Sequence, residues 1–435
     1  MQEDVSAPMP SEPEQPSQFY SRSKIFSWTL FDFANTAFSV VVVTVIYSRY
    51  FTEQVAGGRL WLWSLAVSLS MILAAAIAPP LGAAADFSHN KKLFLGLFTL
   101  ASIICTALMY FVEPGMVFVG MLLFIVANTG FEGGIVFYDA FLPSITSRHS
   151  YGRVSGYGFA MGYLGALAVM LIVILMLPDT SQPDYFFYVR LTFVVAAFFF
   201  LIFALPMFLW VPEPKSSKQK TSSVIRTGYQ QALHTFRALF IEKKYPSIAR
   251  FLIAFFIYND GILTVIAFAA IFAESVLHMQ PREIIVFFAV VQSSAILGSF
   301  LFGFVTDKIG PKKTISITLC IWISITVGAY FVTSVAEFYV VAMGAGAAIG
   351  SSQSASRSLM ALLTPKEREA EFFGFYDGLC GKASAVLGPL VYSGIAYLTS
   401  QRVAVVFIGL FFLAGLILVQ GVTQPEWRRT PPLQQ

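Results

Sequence analysis

Charge is what this 435-residue chain has least of. Asp, Glu, Lys and Arg together make up 12% of it, against 57% hydrophobic residues and a mean hydropathy of +0.72. Soluble domains carry about 25% charge, so most of this chain cannot face water. Cysteine is nearly absent. Cys105, Cys320 and Cys380 lie in apolar segments with no CxxC spacing, which reads as small buried hydrophobes rather than disulfide or metal partners. The four histidines form no HExxH pattern, so no metal and no cofactor are expected. No nucleophile–base constellation supports an enzyme. The ATP-binding loop GxxxxGK[ST] is missing too. Gly378-Leu-Cys-Gly381-Lys382-Ala-Ser approaches it, but Tyr376 holds the first glycine position inside an apolar run. Residues 1–18, rich in Pro, Ser, Glu and Gln, lack the order of a signal peptide. They read as a disordered tail.

Long apolar runs are what the chain does have. A bilayer core about 30 Å thick needs roughly 20 apolar residues per helix. Runs of that kind occur near 26–50, 60–85, 93–112, 116–141, 154–177 and 189–211. Six more occur near 247–274, 283–306, 314–333, 337–362, 373–398 and 403–423. The expected fold class is an all-α membrane protein with twelve spans in two six-helix halves. The expected division is a disordered tail at 1–24, one half at 25–212, a polar basic linker at 213–246, the second half at 247–424 and a tail at 425–435. The second part of the linker, 224–240, reads either as an amphipathic helix on the inner leaflet or as a plain linker, and the plain linker is favoured.

Lys and Arg set the orientation. Of the 28, twenty-one fall in the tails, loops and linker of one face, five on the other, and Arg357 and Lys382 inside spans. Both termini are therefore expected in the cytoplasm, with a bacterial inner membrane as the expected location. The loops carry no bias beyond this, so no nucleic-acid partner is expected. The expected partners are a small-molecule substrate, the bilayer and a proton, and the chain is expected to be a monomer.

A short loop signature occurs twice, 221 residues apart. Gly82-Ala-Ala-Ala-Asp86-Phe-Ser-His-Asn-Lys91 follows span 2, and Gly303-Phe-Val-Thr-Asp307-Lys308-Ile-Gly310-Pro-Lys312 follows span 8. A carboxylate at the end of a span can sit at the positive N-terminal end of a span from the other half. The starts of spans 11 and 5 are the candidates. Such contacts would hold one face shut, with Gly82, Asp86, Lys91, Gly303, Asp307, Lys308, Gly310 and Lys312 as gating residues and the lysines anchored in the headgroups.

Ionisable groups inside spans are costly and mark function by default. There are seven: Asp32, Glu132, Asp139, Asp260, Arg357, Asp377 and Lys382. Asp139 lies four residues before Pro143 and reads as interfacial. Asp377 and Lys382 are five apart, about 140° around an ideal helix, which makes a poor pair.

Several segments carry a resemblance. They are Trp28-Thr-Leu-Phe-Asp32-Phe-Ala-Asn35-Thr-Ala-Phe38, Phe137-Tyr-Asp-Ala-Phe-Leu-Pro143, Tyr258-Asn-Asp260-Gly, Gln353-Ser-Ala-Ser-Arg357-Ser and Glu371-Phe-Phe-Gly-Phe-Tyr376. With the duplicated loop, they resemble the major facilitator superfamily. Within it they resemble the branch of autophagy-related vacuolar amino-acid effluxers and their bacterial relatives. The first loop departs from the superfamily pattern at Phe87 and at His89, where Gly is usual. The resemblance implies the major facilitator fold, with spans 1, 4, 7 and 10 around one cavity holding Asp32, Glu132, Asp260 and Arg357. It implies a secondary transporter of a small carboxylate-bearing solute, amino-acid efflux being the best-known activity. Glu132 and Asp260 are the expected proton carriers. Asp32, Asn35, Tyr138, Asn259, Gln353 and Arg357 are the expected substrate contacts. A multidrug or sugar-type facilitator is the alternative within the fold, and a non-transporting receptor or assembly component the alternative outside it.

Overall fold

A computed structural model describes residues 21–179, 181–213 and 224–425. The first tail lies outside the described residues except at its end, and so do the start of the linker and nearly all of the last tail. Arg22–Lys24, expected in the tail, already form the first turn of span 1. Among the described residues the structure is helical throughout, with no strand. Eleven helices among the described residues are long and apolar enough to cross a membrane. Spans 1 to 6 are Arg22–Val55, Leu60–Ser88, Lys91–Phe111, Val117–Asp139, Arg148–Met176 and Tyr185–Trp210. Spans 7 to 10 are Pro246–Leu277, Val286–Ile309, Pro311–Phe331 and Val335–Leu363, and span 12 is Gln401–Gln420.

Local sequence sets the ends. Pro246 and Pro311 open spans 7 and 9, where a missing N–H costs nothing and φ is already helical. Ser334 and Glu337 form a reciprocal capping box at the start of span 10. His89 ends span 2 in the left-handed region at φ 49°, and Gly310 ends span 8 at φ 90°. These two positions match in the duplicated loop. The superfamily's preference for Gly there follows from that backbone, and His is among the residues that tolerate it.

Span 11 is not the continuous helix expected over 373–398. It is built from a short helix Glu369–Phe373, a π-helical stretch Gly374–Gly381 continued by a helical residue pair, a break at 384–386 and a helix Leu387–Leu398. Asp260, near the middle of span 7, explains the break. Its carboxylate accepts hydrogen bonds from the backbone N–H groups of Leu387 at 3.1 Å and Gly388 at 2.9 Å. Those groups begin the second helix and have no partner within it. Gly388 is required by the approach, since a Cβ there would lie 2.0 Å from Thr264 Oγ1.

The halves meet along two seams of small residues. Span 5 packs on span 8, where a Cβ on Gly156 would fall 2.4 Å from the Ser299 carbonyl oxygen. Span 2 packs on span 11, where a Cβ on Gly82 would fall 2.2 Å from the Ala370 carbonyl oxygen. Contact this close is how helices associate in lipid, where no hydrophobic driving force acts between them. The favoured reading of 224–240 as a plain linker is corrected. Val224–Phe240 is a helix that packs on span 2, with Gly228 against the Pro80 carbonyl oxygen and Ala84. Its small residues Gly228 and Ala232 are what let it lie flat there.

Asp260→Ala removes the cap of a buried helix start and leaves its donors without a partner, a loss of about 1–3 kcal/mol. Thermal unfolding of the purified variant in detergent should show a clearly lowered midpoint. Gly165→Ala, whose Cβ would lie 2.2 Å from the Phe33 carbonyl oxygen, should destabilise as well, whereas Gly394→Ala has no atom within 4 Å to meet and should not.

Candidate functional site

Arg357 crosses from one half to the other. It leaves span 10 six residues before the end of the helix and is 2% exposed. Its Nε donates to Ser155 Oγ at 2.9 Å and its Nη2 to the Ser155 carbonyl oxygen at 2.8 Å. Its Nη1 donates to Asp139 Oδ1 at 2.7 Å and, more weakly, to Asp32 Oδ2 at 3.4 Å. All of these acceptors belong to the first half, on spans 1, 4 and 5. The guanidinium also lies over the rings of Phe159 at 4.1 Å and Trp28 at 4.9 Å, which adds cation–π attraction in a dry site. Tyr138 donates its hydroxyl to Asp32 Oδ2 at 2.8 Å, and Trp28 Nε1 donates to the Tyr138 carbonyl oxygen at 3.0 Å. Of the residues expected as substrate contacts, Asp32, Tyr138 and Arg357 lie against one another. Asn35 is buried one turn further along span 1.

Of the four charges expected around one cavity, Asp32 and Arg357 contact each other, while Glu132 and Asp260 have other partners in the described state. Asp260 is committed to the broken span 11. Glu132 contacts Lys382, and Lys382 Nζ lies 3.1 Å from Asp377 Oδ2. The poor pairing expected of Asp377 and Lys382 assumed an α-helix. A π-helix closes its turn from i to i+5, so the two side chains stack on one face. Asn259 and Gln353 form a further pair. Gln353 Nε2 donates to Asn259 Oδ1 at 3.2 Å, and Asn259 Nδ2 donates to Ser384 Oγ at 2.7 Å in the break of span 11. Asp139 is the last residue of span 4, and there it is 4% exposed and is the nearest acid to Arg357.

The duplicated loops contact the opposite half. Asp86 Oδ2 accepts from the Glu371 N–H at 2.8 Å and Oδ1 from the Ala370 N–H at 3.2 Å, at the start of span 11. Asp307 Oδ1 accepts from the Arg153 N–H at 3.2 Å, and its Oδ2 pairs with Arg153 Nε at 3.0 Å, at the start of span 5. Two of the loop lysines, Lys91 and Lys312, make contacts within the protein. Lys91 Nζ bridges Glu369 at 2.6 Å and Asp86 at 3.2 Å. Lys312 Nζ donates to the carbonyls of Gln420 and Val422, both at 2.8 Å, at the end of span 12. In the first half the matching task falls to Lys92, whose Nζ donates to the Phe208 carbonyl oxygen at 2.7 Å. Ser155 and Ser358 add hydroxyl donors between spans 5 and 10, to the carbonyls of Ser354 at 3.0 Å and Tyr151 at 3.1 Å. The basic ends of the two halves are therefore shut against each other.

Sequence reasoning passed over Asp139, Ser155 and Phe159 as partners of Arg357, and Lys382 as the partner of Glu132. Charge counting was the signal available: the two in-span cations are outnumbered by five in-span acids, so each cation had to be shared.

Comparison with known proteins fixes the family. The family model described as "Vacuole effluxer Atg22 like" matches residues 62–430. The chain is 30% identical over 420 residues to the uncharacterized MFS-type transporter YxiO of Bacillus subtilis (strain 168), covering 94% of this chain and 96% of that one. It is 26% identical over 412 residues to autophagy-related protein 22 of Yarrowia lipolytica (strain CLIB 122 / E 150), covering 74% of this chain and 69% of that one. The fold matches the human organic anion transporter MFSD10 (TETRAN) with a TM-score of 0.74 at 14% identity, over 93% of this chain and 100% of that one. It matches the proton:xylose symporter XylE with a TM-score of 0.73 at 14% identity, over 93% and 96%. Those two likenesses establish the twelve-helix fold alone. The chain is an integral multi-pass membrane protein and a secondary transporter rather than an enzyme, and it belongs to the Atg22-like family of the major facilitator superfamily.

Proposed function

We propose that this transporter exports a small carboxylate-bearing solute of the amino-acid class, coupled to protons, by alternating access. In this reading the basic face is cytoplasmic, the membrane is a bacterial plasma membrane, and the state described is the one shut toward the cytoplasm. The observation that carries it is the crossing of Arg357. Separating the halves at the basic face means withdrawing one buried guanidinium from Asp139, Asp32 and Ser155. Breaking a buried ion pair without replacement costs about 3–5 kcal/mol. One guanidinium faces two carboxylates, so the cluster carries excess negative charge when both are ionised. A proton on either acid removes that excess and weakens the hold on Arg357. Proton uptake then favours opening of the basic face, and proton release favours closure. The words "vacuole effluxer" in the family description support export, and the symporter XylE supports a proton as coupling ion, both by analogy.

Arg357→Ala should fold to monodisperse protein and lose transport in proteoliposomes. Asp139→Asn copies the protonated acid. It should retain solute exchange between two equal pools while losing at least about tenfold in accumulation driven by a pH gradient. Accumulation at the wild-type level in Asp139→Asn would refute proton coupling through this cluster.

Asp86 and Asp307 are the proposed gate residues, with Lys91, Lys308 and Lys312 flanking them. Hydrogen bonds from backbone N–H groups to a carboxylate contribute about 1.5–3 kcal/mol. The double variant Asp86→Asn/Asp307→Asn should therefore shift the population toward opening at the basic face. Spin labels at Asn90 and Glu367, exposed on opposite halves, should report a new longer distance. An unchanged distance distribution would assign the loops a folding role instead.

A further inference from the structure

Two grooves on the second half meet end to end, apart from the charge clusters that join the halves. The first, of about 730 Å³, opens at the basic face between the start of span 9 and the end of span 12. Lys312, Lys313 and Gln420 line it, and no acid stands among its described lining residues. The second, of about 510 Å³, runs along the seam between spans 9 and 10. Its walls include Ile317, Cys320, Ile321 and Ile325 on span 9 and Val340 and Gly344 on span 10. Ser316 and Ile317 line both grooves, so the two form one track, cationic at its mouth and apolar beyond.

We propose that this track binds one anionic phospholipid from the leaflet at the basic face. Its phosphate lies at Lys312 and Lys313, and one acyl chain lies in the seam between spans 9 and 10. The inference requires only that the chain spans a membrane, and it stands apart from the solute and proton scheme above.

Charge complementarity selects the headgroup. Lys312 Nζ donates to the carbonyl oxygens of Gln420 and Val422, and Gln420 Nε2 donates to Ser316 Oγ at 2.9 Å. These bonds tie the mouth into a fixed frame, but carbonyl partners leave the lysine charge unneutralised. Lys313 beside it is exposed. Basic pockets between spanning helices are what anionic headgroups occupy. A zwitterionic headgroup would bring a further cation to a mouth that already holds two.

The seam selects a chain. Ser324 Oγ donates back to the Cys320 carbonyl oxygen at 3.0 Å, so that wall offers no unspent hydroxyl donor. Ile317 and Val340 are 42% and 64% exposed, so the groove opens to the bilayer and not to the protein interior. Gly344 keeps it open. A Cβ on Gly346 or Gly350 of the same helix would fall 2.3 Å from the Val291 carbonyl oxygen or 2.2 Å from Ser299 Oγ, so packing on span 8 demands glycine there. A Cβ on Gly344 would lie 3.7 Å from Ile325 Cγ1, an ordinary contact, so packing makes no such demand. Its missing side chain leaves space in the groove instead. The length also fits. The lining runs along span 9 from Lys312 to Ile325. At about 1.5 Å per residue that is roughly 20 Å, close to one leaflet with its headgroups, about half of 40–45 Å.

The test titrates the purified full-length protein, stripped of lipid in detergent, with dioleoyl phosphatidylglycerol and dioleoyl phosphatidylcholine. Native mass spectrometry counts the bound lipid. The chains are the same, so the comparison isolates headgroup charge. One phosphatidylglycerol per chain should bind at least about tenfold more tightly than phosphatidylcholine. Glycerol 3-phosphate, which offers the phosphate without chains, should not bind at the same concentration. Lys313→Gln should lower the preference for phosphatidylglycerol roughly fivefold. Gly344→Leu, which fills the seam, should weaken both lipids alike. Both variants should keep the wild-type unfolding midpoint in lipid-free detergent. Equal affinity of the wild-type protein for the two lipids, or binding of glycerol 3-phosphate as tight as that of the lipid, would overturn the inference. So would a wild-type preference in Lys313→Gln or wild-type affinity in Gly344→Leu.

Discussion

A guanidinium inside a bilayer has no water to fall back on, and the way the two halves close follows from that constraint. Span 10 presents Arg357, and among the described residues its own half provides no acid within ion-pair distance of it. Every acceptor lies across the interface, on spans 1, 4 and 5. The charge is satisfied only when the basic ends of the halves are together, so electrostatic satisfaction and closure are one event. The serines around it serve the same end. Ser155 and Ser358 donate across the interface to backbone oxygens, contacts that small side chains allow and large ones would block. An apolar residue at 357 would also seal the interface, but it would give no means of unsealing it on a chemical cue.

The duplicated loop shows what repetition preserves and what it releases. The backbone is preserved. Asp86 and Asp307 each meet N–H groups at the start of a span in the other half, and His89 and Gly310 each turn the chain with positive φ. The cations have diverged. Lys91 joins the gate through Glu369, while Lys312, at the equivalent position, ties down the end of span 12. Arg153 provides the cation for the second gate. The first gate is the more buried of the two. Asp86 and Lys91 are 5% and 18% exposed, against 13% and 45% for Asp307 and Arg153. Ion pairs are screened less as they are buried more, so the first loop, despite its departures at Phe87 and His89, holds the tighter contact.

Much of this was legible because the bilayer enforces it. Apolar runs mark spans, lysine and arginine mark a face, and an acid at a span end marks a partner with free N–H groups. The starts of spans 11 and 5 were identifiable as those partners for that reason. Three features were not legible. The π-helical turn at Gly374–Gly381 leaves no trace in hydropathy, so Asp377 and Lys382 were placed on different faces by α-helical spacing. The break in span 11 contains neither Gly nor Pro to mark it, and its cause sits 127 residues away at Asp260. The pairing of Arg357 with Asp139 spans 218 residues, and periodicity within one helix says nothing about partners on another. Long-range charge pairing is set by how helices rotate against one another, which depends on the small residues along the seams more than on the charges.

The two charge clusters lie at different depths and act in series. Arg357 stands six residues from the basic end of span 10, whereas Glu132 stands seven residues deeper on span 4 than Asp139. At about 1.5 Å per residue those seven residues are roughly 10 Å of depth. Both clusters bridge the halves, so the halves cannot rock until both have been relieved. On the reading proposed here, a proton relieves the shallower one. The deeper one parts differently, because Lys382 keeps Asp377 on its own span and Glu132 alone loses its partner. The proton therefore removes only part of the cost of separation, and the conformational change requires the rest to be removed as well.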